Sequence, residues 1–200
     1  MLDRLLAAPF ALGSRLRGAR VFHPRGVVVT GTWRPDPASP LGAVSPLGDQ
    51  PRPALLRLSH AVGLRPGMPD IVGLAVRIED AHGPGRPQDL LFATSGRGRV
   101  GRHLLRPVRT LDDARLSTLL PYAVAGAGHH PLLAQAIGAR PGLTYADVVA
   151  APATAMPAVE VLVGTDGRLL ATVEPGDPVP PAEAEDLAFH PWHTGDDLRP

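Results

Sequence analysis

The stretch ARVFHPRGVVVTGTW (residues 19–33) contains a clear strand signal near the start of the chain. Its second half is rich in β-branched residues and is bounded by glycine and proline, which is typical of a β-strand. His23 stands just before this strand, three residues after Arg20. A single histidine at the start of a strand is usually a structural residue. Its function therefore depends on what the rest of the chain places beside it.

Five further segments favour strands, and the connections between them predict an antiparallel sheet or barrel rather than a parallel fold. They are residues 54–60, 72–79, 88–95, 157–163 and 168–174. Apolar and polar residues alternate within several of them, so each strand has one face directed to a core. Asp166-Gly167 predicts the turn of a hairpin between the last two strands.

A helical insertion is predicted over residues 110–140. Residues 110–125 combine acidic residues in the first turn with leucines at helical spacing, and residues 129–140 carry Pro131 where a first helical turn tolerates it. The fold class is thus α+β, an antiparallel β-barrel with a helical insertion. We expect one domain over 1–200, with an N-terminal arm (1–18) and a tail (176–200) of one acidic helix and coil.

The composition excludes several classes of protein. A net charge of +1 gives no electrostatic reason to expect nucleic acid or a membrane surface as a partner. All 20 basic residues are arginine, and the absence of cysteine excludes disulfides and thiolate ligands. The apolar run at residues 5–12 is too short to span a bilayer and lacks a signal-peptide pattern, so we expect a cytoplasmic protein. A homo-oligomer is compatible with the sequence.

Four segments, in order, resemble the catalase family. RVFHPRG (20–26) resembles its Arg-x-x-His-x-x-Gly segment, and Arg57-Leu58-Ser59 stands where catalases carry Arg-Phe-Ser. PDIVGLAVRI (69–78) and QDLLFATS (88–95) resemble the next two barrel strands of that family. The tail LAFHPWHTGDDLRP (187–200) is similar to a later Phe-x-Pro stretch. The resemblance runs from about residue 19 to residue 200.

The resemblance implies a haem cofactor and a peroxide as the small-molecule substrate. His23 would be the distal histidine that takes a proton from peroxide and returns it to the leaving oxygen. Ser59 would hold the other ring nitrogen of His23 inside the barrel mouth and so fix the tautomer. Arg20 and Arg57 would bind the haem propionates, because a guanidinium matches a carboxylate in charge and geometry.

Two features depart from the family pattern. The distal asparagine should lie near position 93 or 94, but the chain contains no asparagine, and Thr94 is at best a partial substitute. Catalases ligate haem iron through a tyrosine on a helix that would follow Pro200. Tyr122 and Tyr145, the two tyrosines present, lack an arginine one helical turn before them. The sequence therefore leaves open a haem-free barrel with a binding or structural role and, third, a phosphate-ester hydrolase.

Two other motifs are weak evidence for a phosphate site or a metal site. GRGRVG (96–101) fits a glycine-rich phosphate loop, but it follows a hairpin strand and Pro107 interrupts the expected helix. HPWHTGDD (190–197) offers two histidines and two aspartates, yet its setting is a proline-flanked tail. We predict no metal site from these residues.

Overall fold

The computed structural model describes residues 26–39, 48, 50–61, 68–96, 98–112, 114–164, 167–196 and 198–200. Within these ranges, eight antiparallel strands form a closed barrel in the order β1-β10-β9-β8-β5-β4-β3-β2. The barrel strands are β1 (Gly26–Pro35), β2 (Arg52–His60), β3 (Val72–Ile78), β4 (Gln88–Thr94), β5 (Arg115–Ser117), β8 (Leu132–Ile137), β9 (Ala158–Val163) and β10 (Arg168–Pro178). A second, three-stranded sheet consists of β6 (Tyr122–Val124), β7 (Gly128–His130) and β11 (Leu198–Arg199).

The inside of the barrel is a packed aliphatic core. Because side chains alternate along a strand, every second residue points inward, and Trp33, Leu56, Val76 and Leu90 are fully buried there. A cavity of about 20 Å³, large enough for one water molecule, lies among Leu58, Leu74 and Met156.

The six predicted strands are confirmed to within a few residues, as is their antiparallel arrangement. The predicted acidic helix of the tail is also present, over Pro181–Asp186. The predicted arm (1–18) and part of the proline-rich loop lie outside the described residues. None of the helices that the structure describes is long and apolar enough to cross a bilayer.

The predicted helical insertion over 110–140 is wrong, because this part of the chain forms β5, β6, β7 and β8. Closing the barrel requires strands between β4 and β9, and β5 and β8 fill that gap. In β8, Leu132 and Ala134 are buried and Leu133 is not, which is the two-residue period of a strand. Gly126 and Gly128 have φ angles of 72° and 85°, which suit a tight turn between β6 and β7.

The described helices are short and lie elsewhere. They are α1 (Gly98–Gly101), α2 (Tyr145–Ala150), α3 (Pro152–Ala155) and α4 (Pro181–Asp186). The helix α2 begins at a capping box, in which Thr144 and Asp147 satisfy each other's backbone amides. At its first residue, the Tyr145 ring stacks on His60, with the ring centroids 3.8 Å apart. This pair forms a contact between α2 and the end of β2.

His60 makes the stability of the fold sensitive to acid. Burial lowers the pKa of His60 below its ordinary value of 6.5, and the nearby Asp70 carboxylate opposes this only in part. The folded state therefore binds fewer protons than the unfolded chain, so stability falls as the pH drops below about 6.5. We expect the free energy of unfolding of the wild type to decrease over this range, and that of His60→Phe to decrease less.

The measurement is urea unfolding at a series of pH values, with the exposed His129→Gln as the control. The control should follow the wild type. Equal slopes with pH for His60→Phe and the wild type would contradict this role of His60.

Candidate functional site on the outer face of the barrel

Small residues occupy one row across the outer face of five adjacent strands. Ser59 pairs with Gly26 on β1 and with Gly73 on β3, Gly73 pairs with Ala93 on β4, and Ala93 pairs with Ser117 on β5. Directly paired residues of antiparallel strands point to the same side of a sheet, here away from the core. We call these five residues the outer row. With neighbouring strands about 4.8 Å apart, it extends roughly 19 Å along the sheet.

The outer row is partly covered by other parts of the chain. Ser59 and Ser117 are only 3% and 1% exposed, although neither faces the core. The Ser117 hydroxyl donates a hydrogen bond to the Arg102 carbonyl at 2.8 Å, which places the segment after α1 over this end of the row. The Ser59 hydroxyl donates to the Gly73 carbonyl at 3.3 Å. The row is thus sheltered, and none of its side chains is larger than that of serine.

Arg57 lies beside the outer row and lines a groove of about 430 Å³. A Cβ atom on Gly26 would lie 2.9 Å from the Arg57 Cζ, so the absence of a side chain at residue 26 makes room for the guanidinium. The other walls of the groove come from β1, β10 and the helices α2, α3 and α4, and they include Glu185. The volume is within the range of small-molecule sites, roughly 300–1,000 Å³.

The structure brings together two of the five residues proposed from the sequence. Arg57 and Ser59 share the outer face of β2, so Ser59 does not point into the barrel mouth as expected. Thr94 lies on the opposite face: it is fully buried in the core, and its hydroxyl oxygen accepts a hydrogen bond from the Val72 amide at 3.1 Å. Ala93, not Thr94, shares the outer row with Ser59. His23 and Arg20 lie outside the described residues.

Neither tyrosine of the chain is placed to ligate iron at the outer row. Tyr122 is 2% exposed, and its hydroxyl points towards the Asp89 carbonyl, 3.4 Å away. Burial raises the pKa of Tyr122 and so disfavours the phenolate that a metal would need. Tyr145 stacks on His60 instead. The described residues therefore fit a flat anionic group beside Arg57 but supply no tyrosinate for its iron.

A buried ion pair on the same outer face was missed by the sequence analysis. Arg77 on β3 and Asp89 on β4 are directly paired, and two hydrogen bonds of 2.8 Å join the guanidinium to the carboxylate. The Asp89 side chain is fully buried, and hydrogen bonding to it raises the pKa of Arg77. The signal available in the sequence was two opposite charges on neighbouring strands of one hairpin.

Residues of the tail cover the Arg77–Asp89 ion pair. One oxygen of the Asp89 carboxylate also accepts hydrogen bonds from the His190 amide and from His193 Nδ1, both at 2.8 Å. Arg77 donates to the Ala188 carbonyl at 2.6 Å, and its guanidinium lies over the Phe189 ring, 4.7 Å from the centroid. The histidines of HPWHTGDD thus fasten the tail to the barrel. The described residues contain no cluster of three metal-binding side chains.

Comparison of the structure with solved structures identifies the architecture. A bacterial catalase superposes with a TM-score of 0.57 at 12% sequence identity, covering 94% of this chain and 55% of that chain. Catalase A from Saccharomyces cerevisiae gives a TM-score of 0.58 at 11% identity, covering 94% of this chain and 59% of that chain. The barrel is catalase-like. The chain spans little more than half the length of these catalases, and at this identity the likeness shows the fold alone.

Comparisons of the sequence alone identify no relative of this chain. No family model matches the chain, and no curated protein matches it. The resemblance read from short motifs is therefore supported by the shape of the backbone rather than by overall sequence similarity. Three of the segments that carried the resemblance lie in β2, β3 and β4, and Gly26, the last residue of the first segment, opens β1. These strands contribute four of the five residues of the outer row.

Proposed function

We propose that this catalase-like barrel associates with haem through its outer row and Arg57, and that it decomposes peroxide poorly. The observation that carries the proposal is the juxtaposition of a flat strip of small side chains with a half-buried guanidinium. Small side chains leave a flat surface for a planar macrocycle, although binding requires the segments that cover Ser59 and Ser117 to move aside. A guanidinium binds a carboxylate through paired, charge-assisted hydrogen bonds. We propose a cytoplasmic location and a peroxide as the small-molecule partner.

The remaining roles are part of the same proposal. His23 precedes β1, the strand that pairs with β2 next to Ser59, and it would serve as the proton-transferring base held by the Ser59 hydroxyl. Arg20 would bind a second carboxylate. When bound, haem supplies redox-active iron for peroxide chemistry. Because the described residues offer no tyrosinate for that iron, we expect peroxide turnover to be low.

A haem-free barrel that binds another molecule is the second candidate. It is favoured by the two tyrosines, which are engaged away from the outer row, and by Glu185, whose carboxylate shares the groove with Arg57. A negative charge in that groove weakens the attraction of Arg57 for a propionate. The two candidates make opposite predictions for hemin.

Titration with hemin, followed by the Soret band, separates the candidates. We expect weak but saturable binding to the wild type and about tenfold weaker binding to Arg57→Gln, since one charge-assisted contact is lost. Arg86→Gln, which removes an exposed arginine from the β3–β4 connection, should bind hemin like the wild type. Absence of a saturable Soret change would favour the haem-free barrel. Equal affinity for Arg57→Gln and Arg86→Gln would place hemin elsewhere.

A further inference from the structure

A second cavity, distinct from the Arg57 groove, lies on the outside of β5, β8 and β9. Its volume is about 200 Å³, equivalent to roughly seven water molecules in the liquid. The turn after β4 contributes Ser95, Gly96, Gly98 and Arg102 to one wall. That turn is held in place by the hydrogen bond from the Ser117 hydroxyl to the Arg102 carbonyl and by a backbone bond from the Gly96 amide to Leu104. The cavity is therefore a defined part of the fold.

Two arginines line this cavity, and they are not neutralised by the described part of the chain. Arg115 is exposed on β5, and Arg102 directly follows α1. The hydrogen bond recorded for the Arg102 side chain runs from Nε to the His103 ring, and neither arginine pairs with a carboxylate among the described residues. None of the described lining residues is acidic. Glu160 lies two strands from Arg115 in the same row, and its carboxylate accepts a hydrogen bond from the intervening Gln135 at 2.8 Å.

The rest of the lining is apolar. Pro131, Leu133 and Leu162 contribute hydrocarbon surface from β8, β9 and the residue before β8. Apolar walls with a few convergent polar groups are the usual form of a small-molecule site. Guanidinium groups select planar carboxylates in particular, because two N–H donors match the two oxygens. The volume is too small for a dinucleotide but accommodates a short hydrocarbon chain.

We propose that this cavity binds a small organic carboxylate, with the carboxylate on Arg102 and Arg115 and the hydrocarbon body against Leu133 and Leu162. The site adjoins the Ser117 end of the outer row, because Leu133 pairs directly with Ser117, but it does not include Arg57. The motif GRGRVG (96–101) fits a glycine-rich phosphate loop poorly. The proposed site gives it another role, because the motif is followed directly by Arg102 at the edge of the cavity. Hexanoate has the charge and approximate size that the cavity requires.

The test is a titration of the full chain with sodium hexanoate, followed through its backbone amide resonances. We expect saturable shifts centred on Gly96, Gly98 and Leu133. Arg115→Gln and Arg102→Gln should each weaken binding about tenfold, and Arg115→Lys less, because it keeps the charge. Arg86→Gln is the matched control and should bind hexanoate like the wild type.

Two further probes separate the charge from the hydrocarbon body. Hexan-1-ol, which lacks the charge, and acetate, which lacks the chain, should both bind at least about tenfold more weakly than hexanoate. Equal binding of hexan-1-ol and hexanoate would overturn the proposal, as would unchanged affinity in Arg115→Gln. Shifts centred away from the cavity, or no saturable shift with hexanoate, would overturn it as well.

Discussion

Asp89→Ala is expected to lower the free energy of unfolding by about 3–5 kcal/mol, the usual cost of removing one partner from a buried ion pair. The Asp89 carboxylate accepts two hydrogen bonds from Arg77 and one each from the His190 amide and His193. Its removal leaves the Arg77 guanidinium, whose side chain is 10% exposed, without its carboxylate. It also removes two attachments of the tail.

Urea unfolding measures the loss, and Glu174→Ala is the matched control. Glu174 forms an ion pair of 2.6 Å with Arg34, but both side chains are about half exposed, so the expected loss is at most about 1 kcal/mol. The double variant Arg77→Met/Asp89→Ala should recover part of the loss, because no unpaired charge stays buried. A loss below 1 kcal/mol for Asp89→Ala would show that the pair does not hold the tail.

Ala93→Asn is expected to raise peroxide decomposition by the hemin-loaded protein by roughly 100- to 1,000-fold, by analogy with other preorganised hydrogen-bond donors. Ala93 occupies the outer row beside Gly73, where its methyl group offers no hydrogen bond to peroxide. An amide there points to the same side of the sheet as Ser59. The wild type should accordingly turn over little peroxide.

Thr94→Val is the control for this prediction, because Thr94 is fully buried on the opposite face of β4. Its rate of oxygen evolution, expressed per folded protein, should match that of the wild type. Rapid oxygen evolution by the wild type, or a large loss in Thr94→Val, would contradict the assignment of the outer row as the peroxide-facing side.

The strands could be predicted because their pattern is local. Residues such as Leu74, Val76 and Ile78 alternate with smaller or polar residues, and this period is enough to define a strand with one apolar face. The helical prediction for residues 110–140 was wrong for the opposite reason. Its leucines fit a helical period, but its conformation is set by the need to close the barrel between β4 and β9, which no local pattern encodes.

The site could be predicted only in part. The sequence gives the type of each residue but not the face of the sheet to which its side chain points. Arg57 and Ser59 are two residues apart and therefore share a face of any strand, whereas Ala93 and Thr94 could be separated only by the register of β4 against β3. Contacts between distant segments, such as His193 with Asp89, depend on the path of the tail. These contacts require the folded chain.

The outer row is the face proposed to meet haem, and alanine methyl resonances can locate that face. Ala75 and Ala93 point outward from β3 and β4, whereas Ala134 and Ala171 lie inside the barrel. In protein labelled with ¹³C at alanine methyl groups, paramagnetic hemin should broaden the Ala93 and Ala75 signals first and leave those of Ala134 and Ala171 sharper. Equal broadening of all four signals, or broadening that spares Ala93, would contradict the central claim.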